Sequence, residues 1–184
     1  SGSVIYLGRL KRYKNVDHLI RAFQTVVERL PQATLTIVGE GDHREELENL
    51  VKMLNLSDRV TFTGFVPDAE KVALLRQADV AAFPSDKEGW GLSVIEANAC
   101  YTPVVATRVP GLRDAVVHEE TGVLVPLGDT AAMARELTRL LTDGDTRDQM
   151  AARAADRAMH FTWDNTAERT LRIIEDVVRA FGVR

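Results

Sequence analysis

Six short runs of β-branched and apolar residues, each followed by a segment with helical periodicity, constrain this chain more than any other feature. The runs fall at residues 4–7, 35–38, 60–62, 80–83, 104–106 and 123–125. Amphipathic segments follow the first four at 19–30, 47–54, 72–75 and 92–100; a short helical turn follows the fifth, and residues 131–141 follow the sixth. Strands separated by helices of this length need crossover connections, which makes the sheet parallel and covers both of its faces. The sequence therefore predicts a doubly wound, Rossmann-like α/β fold: a six-stranded parallel sheet with helices on both sides. From 129 to 184 the strands stop and the chain reads as mainly helical. Its last helix carries Leu171, Ile174, Val177 and Val178 on one apolar stripe, and Trp163 is expected to pack it onto the body.

At 184 residues the chain is expected to be a single domain, 1–184, with a helical appendage. A hydrophobic share of 45% and a charged share of 27% exclude disordered and fibrous classes. No apolar run approaches the roughly 18 residues of a membrane helix. The start, Ser1-Gly2-Ser3, lacks the features of a signal peptide and reads as a cut inside a longer chain. A single cysteine, Cys100, fits a reducing compartment, so the cytoplasm is the expected location, with the inner face of a membrane as a second option. A net charge of -4 argues against a nucleic-acid partner and still leaves room for a local anion site.

Asn15, Asp42 with Glu45 three residues on, Asp68, Asp129 and Asp145 each precede a helical pattern and are expected to be helix caps. Asp143-Gly144-Asp145 imitates an Asp-x-Asp metal motif but lies between helices, where a capping turn explains it. His18, His43, His118 and His160 show no metal-ligand spacing and are expected at the surface or at helix ends, and Cys100 as a buried small hydrophobe. No metal site is expected.

In parallel α/β sheets ligands lie beyond the carboxyl ends of the strands, so the loops after each run carry the functional signal. After the first comes Gly8-Arg9-Leu10-Lys11-Arg12-Tyr13-Lys14, in which Arg9 and Lys14 suit a diphosphate, or else form an ordinary solvated basic loop. After the second, Val38-Gly39-Glu40-Gly41-Asp42 resembles a dinucleotide fingerprint, yet Arg44 holds the third glycine position and the loop follows the wrong strand. A tight turn with Asp42 capping the next helix accounts for it. After the fourth, Gly89 and Gly91 open a helix whose free N–H groups at Gly91, Leu92 and Ser93 favour an anion. Glu88 and Glu96 bracket that anion site, and carboxylates accept hydrogen bonds from vicinal hydroxyls. The same loop is compatible with two surface glutamates around a turn, and Trp90 with either stacking near a ligand or packing the loop.

Gly8, Arg9, Leu10 and Lys14, followed by Glu88 and Glu96 with seven residues between them around Gly89-Trp90-Gly91, resemble the C-terminal, donor-binding half of family 4 GT-B glycosyltransferases, retaining enzymes that use nucleotide-sugar donors. The likeness extends through Phe65-Val66, Thr102-Pro103-Val104, Thr121-Gly122-Val123 and Phe161-Thr162-Trp163. Tyr101 departs from it, standing where the family usually has glycine, and Val109-Pro110-Gly111 replaces a Gly-Gly turn.

The resemblance implies a catalytic set of Glu88, Arg9 and Lys14. The two cations would neutralise the donor diphosphate and stabilise the departing nucleoside diphosphate, and Glu88 would hold hydroxyls of the transferred sugar. Glu96 would take the ribose diol, the backbone of Gly91, Leu92 and Ser93 the β-phosphate, and Phe65 with Val66 the base. Gly8, Gly89 and Trp90 complete the implied donor-binding set. With two cations in place of a divalent metal, neither a metal nor a cofactor is implied.

The implied partners are a UDP-, GDP- or ADP-sugar and an N-terminal acceptor domain absent from this chain, through which any peripheral membrane contact would run. The chain alone is expected to bind donor and transfer nothing. Half of a nucleotide-sugar epimerase or hydrolase, and a non-catalytic nucleotide-sugar-binding module, remain as alternatives.

Overall fold

A computed structural model of the protein describes residues 2–182. Six strands, β1 (Ser3–Leu7), β2 (Thr34–Val38), β3 (Val60–Gly64), β4 (Val80–Phe83), β5 (Val104–Thr107) and β6 (Gly122–Val125), form one sheet in the order β3-β2-β1-β4-β5-β6. Every pairing is parallel. The chain builds outward from β1 to β3 and then returns to the other side of β1 at β4, so the winding reverses between β1 and β4. There Val4 and Ile5 stand beside Leu35 and Thr36 on one flank and beside Val80 and Ala81 on the other.

The period of two along a strand divides the core in two. Val4 and Tyr6 of β1 join Leu35 and Ile37 of β2 on one face. That face is covered by α1 (Val16–Arg29), α2 (Arg44–Met53) and α6 (Thr130–Thr142). Ile5 points the other way with Ala81, Phe83, Val104 and Ala106, onto α3 (Asp68–Gln77), α4 (Leu92–Ala99) and α5 (Leu112–Ala115). In α1 the buried positions Val16, Leu19, Ile20, Phe23 and Val26 recur at helical spacing, which is why this stripe seats on the sheet. The doubly wound parallel architecture is as the sequence predicts. Helices α2 and α3 begin ahead of their apolar patterns because their first turns are polar, whereas α4 ends one residue short of its pattern.

The capping residues differ from expectation at four of the five positions. Asp129 accepts from the Ala132 N–H, as a cap should. Asn15 is the residue before α1, but its side-chain amide donates to the β4 loop instead. Asp42 is drawn to Lys11, 3.0 Å away, and buried His43 precedes α2. Pro67 precedes α3, and Asp68 lies inside its first turn, paired with Lys71. The cap of α7 (Gly144–Ala158) is Asp143, whose carboxylate accepts from Thr146, so Asp145 is a first-turn acid. A cation claims the side chains of Asp42 and Asp68, and acceptors in the loop after β4 claim the Asn15 amide.

Two packing expectations also fail. Helix α8 (Trp163–Phe181) has the expected limits, yet none of its residues is buried and Trp163 is 88% exposed, so Trp163 does not fasten it to the body. After the turn at Met159-His160 the helix carries its apolar stripe outward, with Leu171, Ile174, Val177 and Val178 exposed. Cys100 is half-buried rather than buried, packed against the α4 side of the core; desolvation pushes its thiol above the ordinary value. No described helix is long and apolar enough to cross a membrane.

Candidate functional site

The reversal between β1 and β4 leaves the loops at the carboxyl ends of the strands splayed apart, and a cleft of about 370 Å³ opens there. Its floor is Leu7 and Val38. Its walls are Gly8 and Arg9 after β1, Gly39 and Glu40 after β2, Phe65 and Val66 after β3, Asp68 and Lys71 of α3, and Ser93 and Glu96 of α4. A wider concavity of about 920 Å³ lies against α7 and α8, lined by Arg153, Arg157 and His160. It is bordered by Val117, Glu120 and Thr121, which lead into β6, at the end of the strand where parallel sheets do not bind ligands.

The loops after β1 and β2 are locked together. Gly8 donates to the Val38 carbonyl at 3.0 Å, and Leu10 to that of Glu40 at 2.8 Å. At Gly39, with φ of 132°, a Cβ would stand 2.0 Å from the Gly8 carbonyl oxygen, so only glycine permits the approach. Beneath the loop the Tyr6 hydroxyl donates to the Arg9 carbonyl at 2.9 Å. Burial, reinforced by the charge of Glu88, pushes the Tyr6 phenol far above its ordinary value, so it remains a neutral donor. Arg9 itself is exposed and donates to the Tyr13 hydroxyl at 2.8 Å.

A single 3₁₀ turn, Arg12–Lys14, then brings the chain alongside the β4 loop. The Asp86 N–H donates to the Tyr13 carbonyl at 2.9 Å, and Asn15 donates to the Pro84 carbonyl and to the Asp86 carboxylate. Here Lys14 donates to the Glu88 carboxylate. Ser85 donates to the same Glu88 oxygen at 2.9 Å, and Thr107 of β5 donates to the Ser85 carbonyl at 2.6 Å. Gly111 supports Glu88 from the far side: its φ is 83°, and a Cβ there would lie 2.3 Å from the Glu88 carbonyl oxygen. Glu96 is held from α3, its Oε1 accepting from Lys71 at 2.8 Å.

The structure thus brings together most of the residues singled out from sequence. Gly8, Arg9, Val66, Ser93 and Glu96 line one cleft. Lys14 and Glu88 form a pair that Tyr13 links to Arg9. Gly91 and Leu92 form the entrance of α4 near Ser93, where the first N–H groups lack carbonyls one turn back. Gly89 is exposed, and Trp90, 39% exposed, turns to the α7–α8 connection, meeting Phe161 edge-on at 5.0 Å. Sequence reasoning missed Tyr13, Ser85 and Lys71, which hold the charged groups rather than resembling any motif.

The strand order and the cleft at its reversal define a Rossmann-like, doubly wound α/β domain with its ligand site at the topological switch point. The chain belongs to the family described as "Glycosyl transferases group 1", whose model matches residues 2–157. It is 38% identical over 175 residues to D-inositol 3-phosphate glycosyltransferase of Corynebacterium urealyticum, covering 91% of this chain and 41% of that protein. Among solved structures it is similar to sucrose-phosphate synthase from Thermosynechococcus elongatus, at 36% identity and a TM-score of 0.84, over 97% of this chain and 46% of the other. It is also similar to Anabaena Alr3699/HepE in complex with UDP-glucose, at 26% identity and a TM-score of 0.85, over 95% and 48% of the two chains. The chain therefore spans less than half the length of these relatives. The resemblance carried by Arg9, Lys14, Glu88 and Glu96 is borne out at the level of family and fold.

Proposed function

We propose that this chain is the nucleotide-sugar donor-binding half of a retaining glycosyltransferase that moves a hexosyl unit to an acceptor. The observation that carries this reading is the placing of Arg9, the α4 entrance at Ser93, and Glu96 around one cleft, with the Lys14–Glu88 pair adjoining it. A cation and a helix N-terminus attract a diphosphate, while the carboxylates suit hydroxyls on either side of it.

In this reading Arg9 and Lys14 stabilise the charge that develops on the departing nucleoside diphosphate, and no metal is needed for that task. Glu88 orients the transferred sugar, Glu96 the ribose, and Phe65 with Val66 the base. Gly8, Gly89, Gly91 and Leu92 shape the backbone around the phosphates. UDP, GDP and ADP all remain donor candidates; Alr3699/HepE, similar in fold, binds UDP-glucose.

An adjoining N-terminal domain of the same protein supplies the acceptor site in this proposal. The exposed apolar stripe of α8 supports it, being a surface that an adjoining part of a longer chain can cover. The cytoplasm is the proposed location, with any membrane contact made through the other domain.

Calorimetric titration with UDP, GDP, ADP and their sugars tests the site. Arg9→Ala, Lys14→Ala and Glu96→Ala are each expected to weaken the best ligand about tenfold or more. Wild-type affinity in all three variants overturns the reading, and measurable sugar transfer by this chain alone overturns its assignment as a half-site.

A further inference from the structure

Beside Glu96 stands a cation that has no place in the motif. Lys71 lies one turn into α3 with its side chain 21% exposed, and its ammonium is 2.8 Å from Glu96 Oε1 and 3.0 Å from Asp68 Oδ1. Lys71 and Glu96 belong to different helices and both line the cleft, so their contact ties the α3 wall, which follows Phe65 and Val66, to the α4 wall. The hydrogen bonds to Glu96 and then Asp68 hold the ammonium above its ordinary value, and Lys71 stays charged at neutral pH.

We propose that Lys71 is a positioning residue for ribose recognition: it fixes the Glu96 carboxylate toward a vicinal diol. The proposal rests on the nucleotide-sugar reading of the cleft. Glu96 is 41% exposed, and a glutamate that far out on a helix surface is free to turn into water. Lys71 engages Oε1 and leaves Oε2 open to hydroxyl donors. Because the stem of Lys71 is already largely packed, this orientation exists before ligand arrives, and less ordering remains to oppose binding.

The test separates the ribose from the phosphates. The 184-residue chain is titrated with UDP, GDP and ADP, and then with the 2′,3′-dideoxy form of whichever binds most tightly. Wild type is expected to prefer the ribose form about tenfold, the worth of one hydrogen bond to a charged group. Lys71→Met should cut that preference to about threefold or less while the dideoxy affinity stays within about twofold of wild type. Lys71→Arg, which keeps a cation in reach, should retain most of it. Glu96→Gln should abolish it, and adding Lys71→Met to that variant should change nothing further.

A Lys71→Met preference equal to wild type, or equal weakening of both ligand forms, overturns the positioning role while leaving the cleft assignment intact. An undiminished preference in Glu96→Gln, or no binding of any diphosphate, overturns the cleft reading and the role of Lys71 with it.

Discussion

The ammonium of Lys14 lies on the carboxylate of Glu88, joining the loops that leave β1 and β4 on either side of the winding reversal. Their side chains are only 12% and 19% exposed, so a charge that loses its partner is only partly rehydrated. Breaking a fully buried pair from one side costs about 3–5 kcal/mol, and this residual exposure reduces it to about 2 kcal/mol. Lys14→Met should lower the unfolding free energy in urea by about that amount. The double variant Lys14→Met, Glu88→Gln should recover about half of the loss, because it leaves no orphaned charge. Losses that add would show that the two groups are not coupled.

Asn98 on the inner face of α4 is fully buried, and neither its amide nitrogen nor its amide oxygen has a hydrogen-bond partner among the described residues. An unpartnered buried amide costs about 1–3 kcal/mol relative to an apolar group of similar shape. Asn98→Leu should therefore raise the urea midpoint, corresponding to about 1 kcal/mol or more. A lower midpoint would mean that the amide is satisfied in solution, by water or by a group outside residues 2–182.

The two classes of expectation from sequence fared differently for a physical reason. Strand positions were legible because a run of apolar, β-branched residues is a local property; residues 4–7 and 35–38 fall inside β1 and β2. Caps were not, because a capping side chain is decided by competition from afar. Lys11 takes Asp42 from 31 residues away, and Asp86 takes Asn15 from 71. The Lys71–Glu96 contact spans 25 residues and exists only once α3 and α4 stand on the same face of the sheet. The apolar stripe of α8 foretold that a partner was wanted, but a stripe carries no information on which surface covers it, and Trp163 is exposed. Charged residues in the β1 and β4 loops were found because their spacing matches a family, whereas Tyr13 and Ser85, which hold them, sit in no such pattern.

Tyr101 closes α4 in the left-handed conformation, with φ of 63°. The Thr102 N–H reaches the Ala97 carbonyl at 3.0 Å and the Tyr101 N–H the Asn98 carbonyl at 3.0 Å, the paired bonds of a Schellman ending, whose preferred residue at this position is glycine. The tyrosine side chain is exposed, so no buried contact offsets the backbone cost. Tyr101→Gly should stabilise the chain by about 1 kcal/mol in urea unfolding, and Tyr101→Ala, which keeps the Cβ, should gain little. Equal gains from both would place the cost in the tyrosine ring instead of the backbone.

Asp143 gives the fold a pH dependence with a definite sign. The backbone N–H of Thr146 and then its hydroxyl hold the Asp143 carboxyl below the ordinary carboxylate value. A folded-state value below the unfolded one means that the ionised cap stabilises the fold above the unfolded value, and that this contribution fades as pH falls through the depressed folded value. Stability measured from pH 6 downward should therefore decline through the acid range, and Asp143→Asn, which retains a cap acceptor without the titrating charge, should flatten that part of the decline. Because the Thr146 bonds join the first turn of α7, the protonated state should also show faster amide exchange at Thr146 than at Ala151 in the helix interior. An Asp143→Asn profile parallel to wild type throughout the acid range would assign the acid sensitivity to other carboxylates.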